Sequence, residues 1–180
     1  MRFKELVGYF ERLEATTKRL EMFEILADLF KGCEVSEIDK IIYMSQGQLL
    51  PSFHGIDLGM SEKLLMRAIS IASGQEIVEI GKRYKELGDL GKTAEAVLDG
   101  DGKGLSVDKV YSAIFDMAEM GGEGSVEKKI TSIGDLLSDV TPVEAKYIAR
   151  FVAGRLRLGV GDATVLEALS LAKFGRGYKD

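Results

Sequence analysis

The chain has little of the chemistry that most often marks an active site. Its 180 residues include one cysteine, Cys33, one histidine, His54, two prolines and no tryptophan. A single cysteine excludes an internal disulfide, and one cysteine with one histidine excludes a Cys/His zinc cluster. No apolar run reaches the roughly 18 residues of a membrane-spanning helix. The N-terminal stretch M-R-F-K-E-L-V-G-Y-F-E-R carries acids and lacks the apolar core of a signal peptide. There is no G-x-x-x-x-G-K-[ST] phosphate loop and no G-x-S-x-G nucleophile turn. The run D-G-D-G-K-G at 99–104 opens like a calcium loop. It then places Lys103 and Val110 where an EF-hand needs an oxygen ligand and a bidentate glutamate. No long stretch alternates with period two, so strands are not expected. The spacing of acids and bases reveals no catalytic constellation.

What is present is a helical rhythm of apolar and charged residues. At 46% hydrophobic residues the chain can bury a sizeable core, either as one domain or as two small subdomains sharing it. The formal net charge of −5 argues mildly against nucleic acid. The charges are segregated, however. Between Glu144 and Asp162 there is no acid, while Lys146, Arg150, Arg155 and Arg157 are basic, and Lys173, Arg176 and Lys179 follow. Acids gather elsewhere, at 5–14 and 34–39.

The periodicity predicts helices over 3–13, 17–30, 37–45, 62–73, 76–87, 93–98, 107–120, 126–137, 142–153 and 163–173. The best-marked start is T-P-V-E, with Thr141 as N-cap, Pro142 in the first turn and Glu144 closing a capping box. Ser36 with Asp39 reads as a weaker box, and Asp162 reads as the cap of the last helix. Two stretches repeat. Asp28, Leu29, Glu37, Ile41, Gly47 and Leu49 align with Asp135, Leu136, Glu144, Ile148, Gly154 and Leu156. I-D-L-G-M-S-E-K-L-L-M-R-A-I-S-I-A at 56–72 aligns with L-R-L-G-V-G-D-A-T-V-L-E-A-L-S-L-A at 156–172, once residues 50–55 are left unmatched. The expected fold class is therefore all-α: about ten helices in two pseudo-symmetric halves, near 1–98 and 105–180, sharing one core within a single domain.

Three places suit a phosphate. In R-L-R-L-G-V-G-D, Gly159 and Gly161 remove bulk before a helix start, and Arg155 and Arg157 lie beside it. T-T-K-R (Thr16, Thr17, Lys18, Arg19) and G-G-E-G-S-V-E-K-K (with Gly122, Gly124, Ser125, Lys128 and Lys129) both run small or hydroxyl residues into a basic first turn. Cations there oppose the helix dipole unless an anion is present. Under the repeat Thr17 falls opposite Gly124, and Gly59 opposite Gly159. The competing reading is ordinary capping between core helices. Lys146, Arg150 and, if the helix continues past Gly154, Arg157 form a basic stripe opposite an apolar face. Such a stripe is either a solvated face or a functional one.

At these residues the chain resembles the N-terminal DNA-binding domain of ATP-dependent DNA ligases of the archaeal and eukaryotic replicative type. T-T-K-R-L-E-M, M-S-Q-G-Q-L-L-P, I-D-L-G-M-S-E-K-L, K-E-L-G-D-L-G, G-S-V-E-K-K and A-K-Y-I-A-R-F-V-A-G-R-L-R-L-G-V-G-D-A-T-V-L-E-A-L occur in the family's order. Archaeal members are nearest in wording. The resemblance implies sequence-independent binding of nicked double-stranded DNA at the minor-groove sugar-phosphate backbone, in DNA replication, repair and recombination. It carries Thr17, Arg19, Gly124, Ser125, Lys129, Arg155, Arg157, Gly159 and Gly161 over as DNA contacts, and Lys18, Gly59, Gly122 and Lys128 beside them or opposite them in the repeat are expected to contact DNA as well. It implies ATP and Mg2+ for a full-length ligase and no cofactor for this domain. It implies nucleotidyltransferase and OB-fold domains as partners, leaves a sliding clamp open, and places the protein with the nucleoid or, in a eukaryote, in the nucleus. The chain lacks the K-x-D-G motif whose lysine accepts AMP, so it is not expected to ligate alone. The rivals are a helical-repeat scaffold for protein partners and a small helical enzyme.

Overall fold

A computed structural model describes residues 1–56, 58 and 60–177, the side chain of Ser52 excepted. Among these residues the fold is all-α, with ten helices and one short 3-10 turn, Ser52–His54. The helices are α1 Phe3–Glu14, α2 Arg19–Lys31, α3 Ile38–Ser45, α4 Glu62–Ser73, α5 Ile77–Leu87, α6 Leu90–Val97, α7 Val107–Glu119, α8 Ser125–Ser138, α9 Pro142–Val152 and α10 Asp162–Phe174. None of them is long and apolar enough to cross a membrane.

Local chemistry sets many of the starts. Ser61, Ser106 and Thr141 accept hydrogen bonds from backbone N–H groups three residues on, capping α4, α7 and α9. The Thr141 box closes as expected, with Thr141 N–H donating to Glu144 Oε2 at 2.8 Å. Three expectations fail. Asp162 is the first residue of α10 rather than its cap; its carboxylate accepts from Gln46 Nε2 at 2.8 Å instead. Ser36 forms no box, because α3 begins after Glu37 with no side-chain cap. The helix expected from Thr93 begins at Leu90, capped by Asp89. Gly91 therefore lies inside α6, where it reads as a loop in the sequence. A Cβ there would meet Lys146 O and Arg150 Cγ at 2.6 Å, so the glycine lets α6 press against α9.

One apolar cluster runs through every helix. In α1 Phe3, Leu6, Val7, Phe10 and Leu13 line one face at helical spacing. Helix α9 is the central element, with eight of its eleven residues buried, Glu144 and Arg150 among them.

The packing repeats the sequence duplication. Helix α2 packs on α10 and α4 packs on α8; exchanging the halves turns one pair into the other. Helix α1 touches α2 and α9, as α7 touches α8 and α3. The exchange holds at the chain start too. Phe3 N–H donates to Leu105 O at 2.8 Å, and Val107 N–H donates to Met1 O at 3.1 Å. These bonds flank the Arg2–Ser106 antiparallel bridge, which the pseudo-two-fold maps onto itself. The equivalence of α1 with α7 lies outside the two stretches that align in sequence. Helices α5 and α6 have no counterpart and pack against α4 and α9.

Candidate nucleic-acid interface

Between α9 and α10 the chain leaves helical geometry, and burial alternates residue by residue. Leu156, Leu158 and Val160 enter the core, while Arg155, Arg157, Gly159 and Gly161 are exposed. The four residues expected to contact DNA thus emerge together on one side, anchored by three apolar side chains on the other. This short alternation is legible in R-L-R-L-G-V-G, but it is hidden by the surrounding helical pattern. Helix α9 ends at Val152, and Gly154 turns the chain at φ +66. Arg157 is held at φ +48, the one non-glycine residue at positive φ among those described. A side chain that could relax by becoming helical or extended costs roughly 1–3 kcal/mol when kept there.

This segment joins two helix starts. At one end Arg155 pairs with Glu62, the first residue of α4, at 3.4 Å, and Glu62 also bonds Tyr84 of α5. At the other, a Cβ on Gly159 would lie 3.3 Å from Met22 Cε in the first turn of α2. Thr17, Lys18 and Arg19 are exposed at that turn. Thr16, not Thr17, organises it: its hydroxyl accepts from Lys18 N–H at 3.1 Å and donates to Glu21 at 2.5 Å. Lys18 Nζ lies 2.8 Å from Glu21, and Arg19 stands over the Phe23 ring.

The third cluster begins α8. Gly122 and Gly124 both take positive φ, and Gly124 is the N-cap. Ser125 and Lys129 are half-buried and Lys128 is exposed. This start is tied to α4 by a bidentate pair, Arg67 Nη1 and Nη2 to Glu127 at 2.9 and 2.8 Å. The structure therefore brings the α2 start and the 155–161 segment into direct contact, and links the α8 start to them through α4. The N-cap residues of α2, α8 and α10 make no side-chain hydrogen bond to the first turn. Gly59 lies outside the described residues, as does Lys179.

The glycines divide into two kinds. Gly122 and Gly124 need glycine for their backbone, and Gly159 needs it for its backbone and for its closeness to Met22. Gly161 has φ −96, and a Cβ there would find no other atom within 4 Å, so neither conformation nor packing calls for glycine.

The basic stripe of α9 is not an interface. Arg150 is 8% exposed and pairs with Glu14 at 2.9 Å and with Asp89 at 3.0 Å. Tyr147 donates to the same Glu14 at 2.5 Å, and Lys146 lies 3.7 Å from it. Burial alone would raise the Glu14 and Asp89 pKa values. The Tyr147 and Arg150 bonds to Glu14, and the Arg150 and Lys92 bonds to Asp89, outweigh it and hold both carboxyls below their usual range. The network ties α1, α6 and α9 together and leaves no cation of α9 for a ligand. Among the described residues no cluster of His, Cys, Asp or Glu has the arrangement of a metal site.

This set of linked helix starts and arginines, on one pseudo-symmetric helical body, has a family counterpart. The family model described as DNA ligase N terminus matches residues 2–170. The chain is 46% identical over 173 residues to a probable DNA ligase of Dictyoglomus thermophilum, covering 96% of this chain and 30% of that protein. It is 44% identical to a DNA ligase of Acidianus ambivalens, covering 98% of this chain and 32% of the relative. DNA ligase 2 of Thermofilum pendens is 41% identical over 96% of this chain and 31% of its own length. The chain belongs to the DNA ligase N-terminal family and spans about three tenths of the length of these relatives.

Proposed function

We propose that this chain binds nicked double-stranded DNA without regard to sequence, through the sugar-phosphate backbone along the minor groove. In a whole ligase it would hold the duplex while a nucleotidyltransferase domain and an OB-fold domain close around the break. ATP and Mg2+ would serve adenylation there. The observation that carries the reading is the exposed row Arg155, Arg157, Gly159 and Gly161 against the start of α2, in a member of this family. Guanidinium groups and uncapped N–H groups suit phosphate oxygens, and glycines admit a backbone closely. Lys18, Arg19, Lys128 and Lys129 would add phosphate contacts on either side. None of these groups reads a base edge, and the minor groove offers only a degenerate code. A helical scaffold for protein partners shares the architecture, but it gives no reason for Arg157 to be kept in a strained conformation on the surface.

The test is a titration of the chain on nicked duplexes of unrelated sequence at several salt concentrations. Affinity should fall steeply with salt and vary little with sequence. Arg19→Glu should weaken all duplexes alike and reduce the salt slope by about one. Flat salt dependence, or an unaltered slope in the variant, would favour the protein scaffold.

A further inference from the structure

We infer that Arg155 and Arg157 set the polarity with which the domain sits on a nicked duplex, by making unequal two faces that are alike at the starts of α2 and α8. The inference rests on the DNA-binding reading above. An intact duplex has local two-fold symmetry, because its strands are antiparallel. A binder with a matching pseudo-two-fold can dock in two orientations related by a half-turn. The two are equal in energy to the extent that the halves of the protein are equal. A nick makes the strands unequal, since one is broken and carries a terminal phosphate. An enzyme that acts on the break needs the broken strand on one side only. Something in the protein must therefore distinguish its halves.

Much of the candidate surface does not. Helices α2 and α8 are equivalent in the fold, and each opens with cations, Lys18 and Arg19 in one, Lys128 and Lys129 in the other. Each packs on the fourth helix of the opposite half. The segments that lead into those fourth helices differ. Residues 155–161 hold two exposed arginines and no acid. The equivalent segment, 46–61, holds neither lysine nor arginine anywhere, so the contrast does not depend on how its extra residues are aligned. Those extra residues carry an apolar ring instead, Phe53, which is 83% exposed beside His54. The arginine side is also the side held in place: Arg157 stays at φ +48, and Arg155 is tethered to Glu62 of the other half. The charge difference thus sits on a defined backbone and not on free side chains.

Energy transfer reads the polarity directly. Lys85 on α5, a helix present in one half only, is exposed and carries an acceptor as Lys85→Cys in a Cys33→Ser background. The duplex has one central 5′-phosphorylated nick and a donor at one end or the other. At saturating protein the wild-type surface should transfer unequally to the two ends. In Arg155→Gln with Arg157→Leu, still saturated, the ratio should move most of the way toward one. A variant that charges the other segment, Gln48→Arg with Phe53→Arg, should also move the ratio toward one while keeping affinity, and it decides the matter if the first variant no longer binds. A ratio of one in the wild type, or an unaltered ratio in both variants, would overturn the inference while leaving DNA binding intact. Absence of binding by the wild type at low salt would overturn the DNA-binding reading and this inference together.

Discussion

Four basic residues lie within twelve positions of each other, and the fold treats them in opposite ways. Lys146 and Arg150 sit on α9 and are consumed inside the protein by Glu14, Asp89 and Glu95. Arg155 and Arg157 follow one turn past the helix end and stand in solvent. In sequence the four form one acid-free basic run. In space the first pair is held in a structural network, whereas Arg155 keeps only a solvent-exposed pair with Glu62 and Arg157 stands open to a ligand. The acids that make the difference come from α1, the α5–α6 turn and α6, at least 51 positions away in the chain in the nearest case, Glu95 to Lys146. A basic run is thus informative about ligands only after its internal counter-charges are known.

The comparison can be broken most strongly at Arg150. Arg150→Met keeps the apolar stem but leaves Glu14 and Asp89 without their shared cation. Loss of one partner of a fully buried pair costs about 3–5 kcal/mol; here only Arg150 is buried and both acids reach solvent, so about 1–3 kcal/mol is expected. Chemical denaturation should register a fall of that size. A loss within the range of a surface substitution would mean that the network contributes little. DNA affinity per folded molecule should be unaltered.

The same pair predicts an acid dependence. Glu14 and Asp89 titrate below their ordinary values of 4.5 and 3.8 in the fold. Their contribution is therefore complete above those values and is lost as pH falls through the lower folded ones. Stability measured on acidification should decline in that window. The decline should be shallower in Arg150→Met, where both carboxyls return toward ordinary behaviour. Parallel curves for the two proteins would assign the acid sensitivity to other groups.

Arg157 sharpens the other side of the comparison. Arg157→Gly removes the charge and the left-handed strain together. Stability should rise by about 1 kcal/mol while DNA affinity and salt slope fall. A drop in stability would show that the side chain has a packing role. The smallest stability effect belongs to Gly161→Ala, which should leave unfolding unaltered within about 0.5 kcal/mol yet weaken DNA binding. Gly159→Ala, at φ +73 and close to Met22, should cost about 1 kcal/mol of stability instead. Equal melting losses in the two variants would erase the distinction between the glycines.

The amino-acid sequence by itself determined most of the helices and, over two stretches, their duplication. Hydrophobic spacing, Thr141 with Glu144, and scarce proline are local signals, and local signals suffice for a fold built from α-helices. The T-T-K-R, G-S-V-E-K-K and R-L-R-L-G-V-G-D runs were legible for the same reason, and their order marked the family. Only the tertiary structure decided which charges are spent. It withdrew Lys146 and Arg150 from the surface and gave the cap role of Asp162 over to a bond with Gln46. It placed Gly91 inside a helix because α9 needed the space, and it set the 155–161 segment against the start of α2 rather than that of α8. Each of these depends on a partner far away in the chain. Ion pairing, close helix approach and shared exposure are properties of groups brought together, and no spacing along one strand of sequence encodes them.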